Sequence, residues 1–307
     1  MNLAVADLAH LRCPRCRAAL VWQGSEGASG GPGDGSLDCG CGASWPVRRG
    51  MPRLYEEAAV RGPDRLMRRI YDALPSLHDP AVRYTLPLFQ YGRRDSLGIT
   101  EHALRDGLVA RLRLGELRDP GDRPVRVLEV GVGSGANLAR LREGLGHLPN
   151  LEIWGLDLSE GMLSQCIRRL ERAGDGETRL LMADAHALPF DDQTFDRVFH
   201  VGGIGAFRDP GLAMAELARV AVEGAPIVIV DEQLDPQGHH RLHHRLLFRA
   251  VTFYDDDPHS PIEHVPPGAT DVRNEQLSRF FYCLSFRAPA RVTPDAGAPA
   301  SRPGPRS

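Results

Sequence analysis

From residue 125 onward the pattern of apolar and polar positions changes period again and again. Val125–Val130 (VRVLEV) is apolar and β-branched and predicts a strand, whereas Asn137–Leu145 spaces its leucines three and four apart and predicts a helix. Glu152–Leu158 reads as a second strand. Glu160–Ala173 follows as a helix with Met162, Leu163, Ile167 and Leu170 on one face. Arg179–Ala183 and Asp196–Val201 read as strands, Gly211–Val222 as a helix and Pro226–Val230 as a fifth strand. Strands alternating with helices predict an α/β fold, a parallel sheet covered on both faces. In DVRNEQLSRFFYCLSFR two strand-like blocks follow each other with no helix between them, which predicts an antiparallel pair at the sheet edge.

Upstream the period is helical. Leu66, Met67, Ile70 and Leu74 share one predicted helix face; Leu104, Leu108 and Leu112 share another, until LRDPGDRP breaks the chain. At the N-terminus, Trp45, Val47, Met51 and Leu54 predict a small strand pair, and GSEGASGGPGDGS predicts a flexible loop. The division expected is therefore 1–57 as a small module, 58–118 as a helical linker or lid, 119–288 as the α/β domain, and 289–307 as a Pro/Ala/Gly-rich disordered tail.

Composition acts mainly by exclusion. Of 307 residues, 42% are apolar and 25% charged, ordinary values for a globular protein. A net charge of −3 makes no case for nucleic acid as a general partner, although the arginines between Arg61 and Arg69 allow a local basic face. All 37 cationic residues are arginine, which reads as a compositional bias of the source. No apolar run reaches the ~18 residues of a membrane span, and MNLAVADLAHLRCPRC lacks the basic start and apolar core of a signal peptide. The expectation is a cytoplasmic protein, where thiols stay reduced and clustered cysteines point to metal.

That bears on Cys13-x-x-Cys16 and Cys39-x-Cys41. The first pair makes a knuckle presenting two thiolates, and a second pair some twenty residues on completes a tetrahedral zinc set. The second spacing is one residue shorter than usual, which distorts that knuckle. Four thiolates leave no open position for water, so such a zinc would be structural. Cys166 and Cys283 read as core residues.

The chemistry centres on the turn Gly131-Val132-Gly133-Ser134-Gly135, between a strand and a helix. Glycines admit a ligand to the main chain and helix amides face it. Gly131-x-Gly133-x-x-Ala136 satisfies the loose dinucleotide fingerprint, so a nicotinamide cofactor has to be weighed. Glu129, two residues before the turn, argues against it: a carboxylate repels a pyrophosphate and tolerates a sulfonium. Asp157 ends the next strand, where it can accept from ribose hydroxyls on either reading, and Asp184 ends the third, where it can accept from an adenine amino group.

Taken together, Glu129-x-Gly131-x-Gly133-x-Gly135, Asp157, Asp184-Ala185, LPFDDQTFDRVF and AMAELARVAVEGAPIVIVDE resemble the class I S-adenosylmethionine-dependent methyltransferases. The subgroup nearest in pattern is the ubiquinone/menaquinone type (methyltransferase type 11). The likeness runs from Val125 to about Asp231; AVEGAP departs from the family's proline–glycine–glycine turn, a structural position. The resemblance implies a Rossmann-like seven-stranded sheet, S-adenosylmethionine as cofactor, and Glu129, Gly131, Gly133 and Gly135 around its methionine portion. It implies Asp157 with Leu158 at the ribose, Asp184 with Ala185 at the adenine, and His200 and Val201 beside the cofactor and methyl group. Relatives cover the cofactor with N-terminal helices, so Tyr71 or Tyr91 could form part of a lid, although ordinary packing is the expected role of either. The N-terminal segment similarly resembles zinc ribbons that accompany methyltransferases, with Cys13, Cys16, Cys39 and Cys41 as ligands.

The expected reaction is methyl transfer to a small molecule, quinone-like, phenolic or a secondary metabolite, with His200 as candidate base and Asp231 and Glu232 in similar strand-end positions. The alternatives are base methylation of RNA contacted through the ribbon, which the acidic balance disfavours, and a silent binding scaffold. His239/His243 and His240/His244 stand four apart, but Arg241 and Arg245 interleave them and no carboxylate accompanies them, so a solvated helix start is expected there rather than a metal site.

Overall fold

The computed structural model describes residues 3–27, 31–80, 107–117, 121–146, 148 and 150–290. The alternating blocks fold as their periods require. Strands β5 (Val125–Val130), β6 (Leu151–Asp157), β7 (Arg179–Ala183), β8 (Arg197–Val201) and β9 (Pro226–Glu232) lie parallel in the order β7-β6-β5-β8-β9. Helices α2 (Leu138–Leu145), α3 (Glu160–Ala173) and α4 (Pro210–Val220) connect them. Helix α3 starts where Ser159 Oγ accepts from Met162 N (3.1 Å) and stops at Gly174, which takes the left-handed conformation. Asp209 caps α4 by accepting from Leu212 N (2.9 Å).

The strands are buried almost throughout because both faces are covered, one by Leu128, Val130, Trp154, Ile227 and Ile229, the other by Val127, Ile153, Phe199 and Val228. β10 (Thr270–Gln276) and β11 (Phe281–Arg287) form the antiparallel edge, β11 lying between β9 and β10 with Tyr282 opposite Asp231. The seven strands β5 to β11 thus run β7-β6-β5-β8-β9-β11-β10, a Rossmann-like sheet whose order reverses at β5.

The N-terminal segment does not stand off as a bead. β3 (Ser44–Arg48) and β4 (Met51–Leu54) form the expected pair, burying Trp45 and Val47, and β4 then joins β7 in parallel through Arg53↔Met182 and Leu54↔Ala183. The sheet reaches eleven strands in this way. The glycine-rich loop expected after Leu20 is instead a hairpin, β1 (Leu20–Glu26) with β2 (Pro32–Cys39), as far as its residues are described. The Trp22 ring lies where a Cβ on Gly24 or Gly35 would stand, 2.4 and 2.7 Å away, so the glycines make room for the indole rather than for flexibility.

Helix α1 (Gly62–Ala73) forms as expected, but only part of the predicted face turns inward. Leu66 and Leu74 are exposed, whereas Asp64, Met67, Arg68 and Tyr71 face the sheet's rim. Tyr91 and Leu104 lie outside the described residues, as does 291–307 of the expected tail. Among the described residues no helix is long and apolar enough to cross a membrane.

Candidate functional site

Where the strand order reverses, a cleft of about 740 Å³, counting its open mouth, lies above the carboxyl ends of β5, β6, β7 and β8. The turn after β5 forms its floor. Gly131 has φ +70°, and a Cβ there would stand 3.0 Å from the His200 ring; Gly135 has φ +74°, and a Cβ there would lie 2.6 Å from Cys166 Sγ on α3. The first glycine keeps the cleft open and the third lets α3 pack. Asp157 closes the turn from the side: its Oδ2 accepts from Gly133 N (2.9 Å) and its Oδ1 from Ser159 N (2.8 Å). Burial pushes its carboxyl up, against the pull of those two amides. Glu129 is buried behind the turn, where Asn137 Nδ2 donates to its Oε1 (2.5 Å).

Asp184 sits at the other end. Its Oδ1 accepts from His186 N (2.9 Å) and His186 Nδ1 (2.6 Å), and Arg208 donates to its Oδ2 (2.5 Å). Burial alone would raise this carboxyl, but His186 and Arg208 outweigh it and hold it at about 2. Arg208 also grips Asp64 on α1 (2.5 Å). Two further aspartates fasten the same segment: Asp72 Oδ1 accepts from Ser159 Oγ (2.7 Å) and Gly161 N (3.0 Å), and Asp79 from Ser134 Oγ (2.6 Å) and Arg169 (2.5 Å). Residues 62–80 are thereby strapped across three successive rim turns, with Tyr71 on the cleft wall.

His200, at the end of β8, is 1% exposed and lies in the same wall. Its Nδ1 donates to the Val130 carbonyl (2.7 Å), leaving Nε2 with a lone pair and no partner. Burial lowers its pKa, so the ring is neutral near pH 7. At the end of β9, Asp231 accepts from Gly203 N (2.7 Å) and Gly205 N (3.1 Å), and Glu232 from Tyr254 Oη (3.2 Å). Burial, with Asp231 beside it, holds Glu232 well above the usual carboxylate range.

Of the residues marked in the sequence, Gly131, Asp157, Leu158, Asp184, Ala185 and His200 line the cleft together. Glu129, Gly133 and Gly135 shape its floor from behind. Val201 does not reach it: one residue past His200 on a strand, it packs against the opposite face. Sequence reasoning missed Asp64, His186, Phe207, Arg208, Tyr254 and Tyr282. His186 stood next to a marked pair, but Asp64 and Arg208 meet only through the fold. The histidine run behaves as expected: α5 (Leu242–Val251) begins after His239 and His240, whose ring Nε2 (His240) instead meets the Asp235 carbonyl (2.7 Å).

The four N-terminal cysteines converge. Cys13 and Cys41 Sγ are 3.8 Å apart, Cys16 and Cys39 Sγ 3.4 Å, and all four sulfurs lie within 4.8 Å of one another. Sulfurs about 2.3 Å from a zinc ion stand ~3.8 Å apart in a tetrahedron, so the donor set fits that metal despite the short second spacing. The Ala43 amide and the neighbouring thiols bring Cys41 down to about 7. The knuckle abuts the segment that follows Asp184: Arg12 N donates to the Pro189 carbonyl (2.9 Å), and Glu216 accepts from both Arg17 (2.9 Å) and Leu188 N (2.8 Å).

Residues 127–224 match the family described as Methyltransferase domain. The chain is 36% identical over 128 residues to the demethylmenaquinone methyltransferase of Thermus thermophilus, covering 42% of this chain and 56% of that protein. It is also 36% identical over 126 residues to the enzyme of the same name from Clavibacter sepedonicus, covering 41% and 49%. The chain thus spans about half the length of the curated relatives it matches. Among solved structures, phosphoethanolamine N-methyltransferase 2 of Haemonchus contortus in complex with S-adenosyl-L-methionine superposes with a TM-score of 0.49 at 15% identity, over 61% of this chain and 52% of that one.

Proposed function

We propose, from the premise that the chain belongs through residues 127–224 to the class I S-adenosylmethionine-dependent methyltransferases, that it transfers the cofactor's methyl group to a small-molecule acceptor. The observation that carries this is the cleft itself: a glycine turn backed by a buried carboxylate, Asp157 and Asp184 meet at one rim, with His200 in the wall between them. The residues fit the cofactor. A Cβ on Gly131 would invade the space above the turn, 3.0 Å from the His200 ring.

When bound, S-adenosylmethionine supplies an activated methyl group. The chain's residues do the rest. Glu129 places negative charge behind the turn that would hold the methionine portion, Asp157 would accept from the ribose, and Asp184 with Ala185 would hold the adenine. Arg208 and His186 keep Asp184 ionised for that task. Tyr71 and the aspartate-fastened strap exclude water, which alignment for an in-line displacement requires. His200, neutral and fixed in one tautomer by Val130, would accept a hydrogen bond or proton from the acceptor. Cys13, Cys16, Cys39 and Cys41 would hold a structural zinc that stiffens the ribbon against β7.

Incubation of the protein with methyl-labelled cofactor and separate pools of RNA, protein and small-molecule extract tests the reading. Label entering the small-molecule pool supports it; label in RNA or protein alone, or in none, contradicts it.

A further inference from the structure

Behind the end of the cleft away from Asp184, against the Gly203 turn and Tyr254 that line it, three acidic residues lie close together: Asp231 and Glu232 at the end of β9, and Asp255 after α5. A Cβ on Gly205 would stand 2.7 Å from Asp255 Oδ2 and 3.9 Å from Asp231 Oδ2, so both carboxylates face one turn. Among the described residues, no arginine or histidine forms an ion pair with any of the three. Part of this is structural, since Asp231 caps the Gly203–Gly205 turn.

Two other observations point to a ligand. His200 Nε2, in a cleft-wall residue that is 1% exposed, has no partner. Tyr282, also 1% exposed, sits opposite Asp231 across the β9–β11 pair with its hydroxyl unpartnered. Buried polar groups without partners are rare and call for an explanation. Here both lie at strand ends on the sheet face that carries Asp231, with Phe207 inclined at 60° to His200 (5.1 Å between ring centres) and Tyr71 and Tyr254 in the wall.

We propose that this end of the cleft is the acceptor subsite and that it takes an amine, bound as its ammonium ion, which passes one N–H proton to His200 Nε2 so that the freed nitrogen lone pair forms the N–CH3 bond as the S–CH3 bond breaks and S-adenosylhomocysteine leaves. This makes the protein an N-methyltransferase, and the proposal rests on the methyltransferase reading above. An ammonium group carries donors for His200 Nε2, the Tyr282 oxygen and a carboxylate at once. It offsets the charge of Asp231 and Asp255, and its positive charge suits a wall of tyrosine and phenylalanine faces. A neutral hydroxyl can meet both orphans, donating to His200 Nε2 and accepting from Tyr282, but it leaves the carboxylates uncompensated. A carboxylate or phosphate is repelled.

The test uses full-length, zinc-replete protein saturated with S-adenosylhomocysteine and three ligands that share a phenol ring: tyramine (cationic), tyrosol (neutral) and 4-hydroxyphenylacetate (anionic). Calorimetry is expected to show tyramine binding at least about tenfold more tightly than tyrosol, with the anion weakest. Asp231→Asn should bring tyramine to within about threefold of tyrosol while S-adenosylhomocysteine affinity holds. Tyr282→Phe and Asp255→Asn, which keep volume and avoid the Gly203–Gly205 cap, should each weaken tyramine alone, and they carry the test if Asp231→Asn does not fold. Tyramine binding no tighter than tyrosol, or not at all, to protein that holds S-adenosylhomocysteine overturns the proposal. So does an Asp231→Asn variant that loses S-adenosylhomocysteine as severely as tyramine, since the cluster would then serve the cofactor. Failure of wild-type protein to bind S-adenosylhomocysteine overturns the methyltransferase reading instead, and the amine with it.

Discussion

The two ends of the cleft are built on opposite principles. At the glycine-turn end, each carboxylate is already engaged: Asp157 with two backbone amides, Asp184 with His186 and Arg208, Glu129 with Asn137. At the β9 end, His200 Nε2 and the Tyr282 hydroxyl are buried without partners, and no ion pair among the described residues reaches Asp231, Glu232 or Asp255. The first end is a preformed mould whose polar groups orient one another. The second keeps unmet hydrogen-bonding capacity that only a ligand supplies. A site that always takes the same cofactor gains from rigidity, whereas discrimination between acceptors comes from buried polar groups that the wrong molecule leaves unmatched.

The contrast can be broken most forcefully at Gly131. Valine there puts a side chain at φ +70° and against the His200 ring, a strain of about 3 kcal/mol, so affinity for S-adenosylhomocysteine should fall roughly a hundredfold by calorimetry. Unchanged affinity would mean that the turn does not hold the cofactor. His200→Ala should act in the opposite sense, lowering turnover about a hundredfold while cofactor affinity moves far less; a parallel loss of both would place His200 in the cofactor's mould.

Acid sharpens the comparison at Asp184. Its carboxyl is depressed from an ordinary 3.8 to about 2, so it stabilises the fold above about pH 4 and that contribution is lost as pH falls through 2. The loss amounts to about 2 kcal/mol, and the denaturant-derived stability of Asp184→Asn should be correspondingly flatter between those pH values. The smallest effect is expected from the ribbon. Stripping zinc with a chelator should release one metal per chain and weaken S-adenosylhomocysteine about tenfold, because the knuckle braces the segment from Leu188 to Pro189 just beyond Asp184. Intact affinity after complete metal loss would show the ribbon and the cleft to be independent.

How legible each end was in the sequence follows the same division. Gly131, Asp157 and Asp184 each close a strand in a local pattern, and local patterns survive in a linear text. The strand–helix alternation was legible for that reason too, down to the antiparallel edge. The strap was not: Asp64, Asp72 and Asp79 are polar residues in a helical segment, and nothing in their spacing tells that Arg208, Ser159 and Ser134 wait for them. The apolar pattern indicated Leu66, Met67, Ile70 and Leu74 as the packed face; the structure half-buries Met67 and Ile70 but exposes Leu66 and Leu74 and buries Asp64 instead, because the rim the helix meets is polar. The hairpin of β1 and β2 was masked by glycines that read as flexibility until Trp22 lay across them. Tyr282 looked like one more apolar strand position; its register opposite Asp231 exists only once β11 pairs with β9.

The central claim is that the rim of β5, β6 and β7 holds the sulfonium cofactor, and calorimetry of full-length, metal-replete protein with S-adenosylmethionine and, in parallel, with NAD tests it most directly. The account predicts one equivalent of S-adenosylmethionine bound and no heat from NAD; binding of NAD, or of neither, would contradict it.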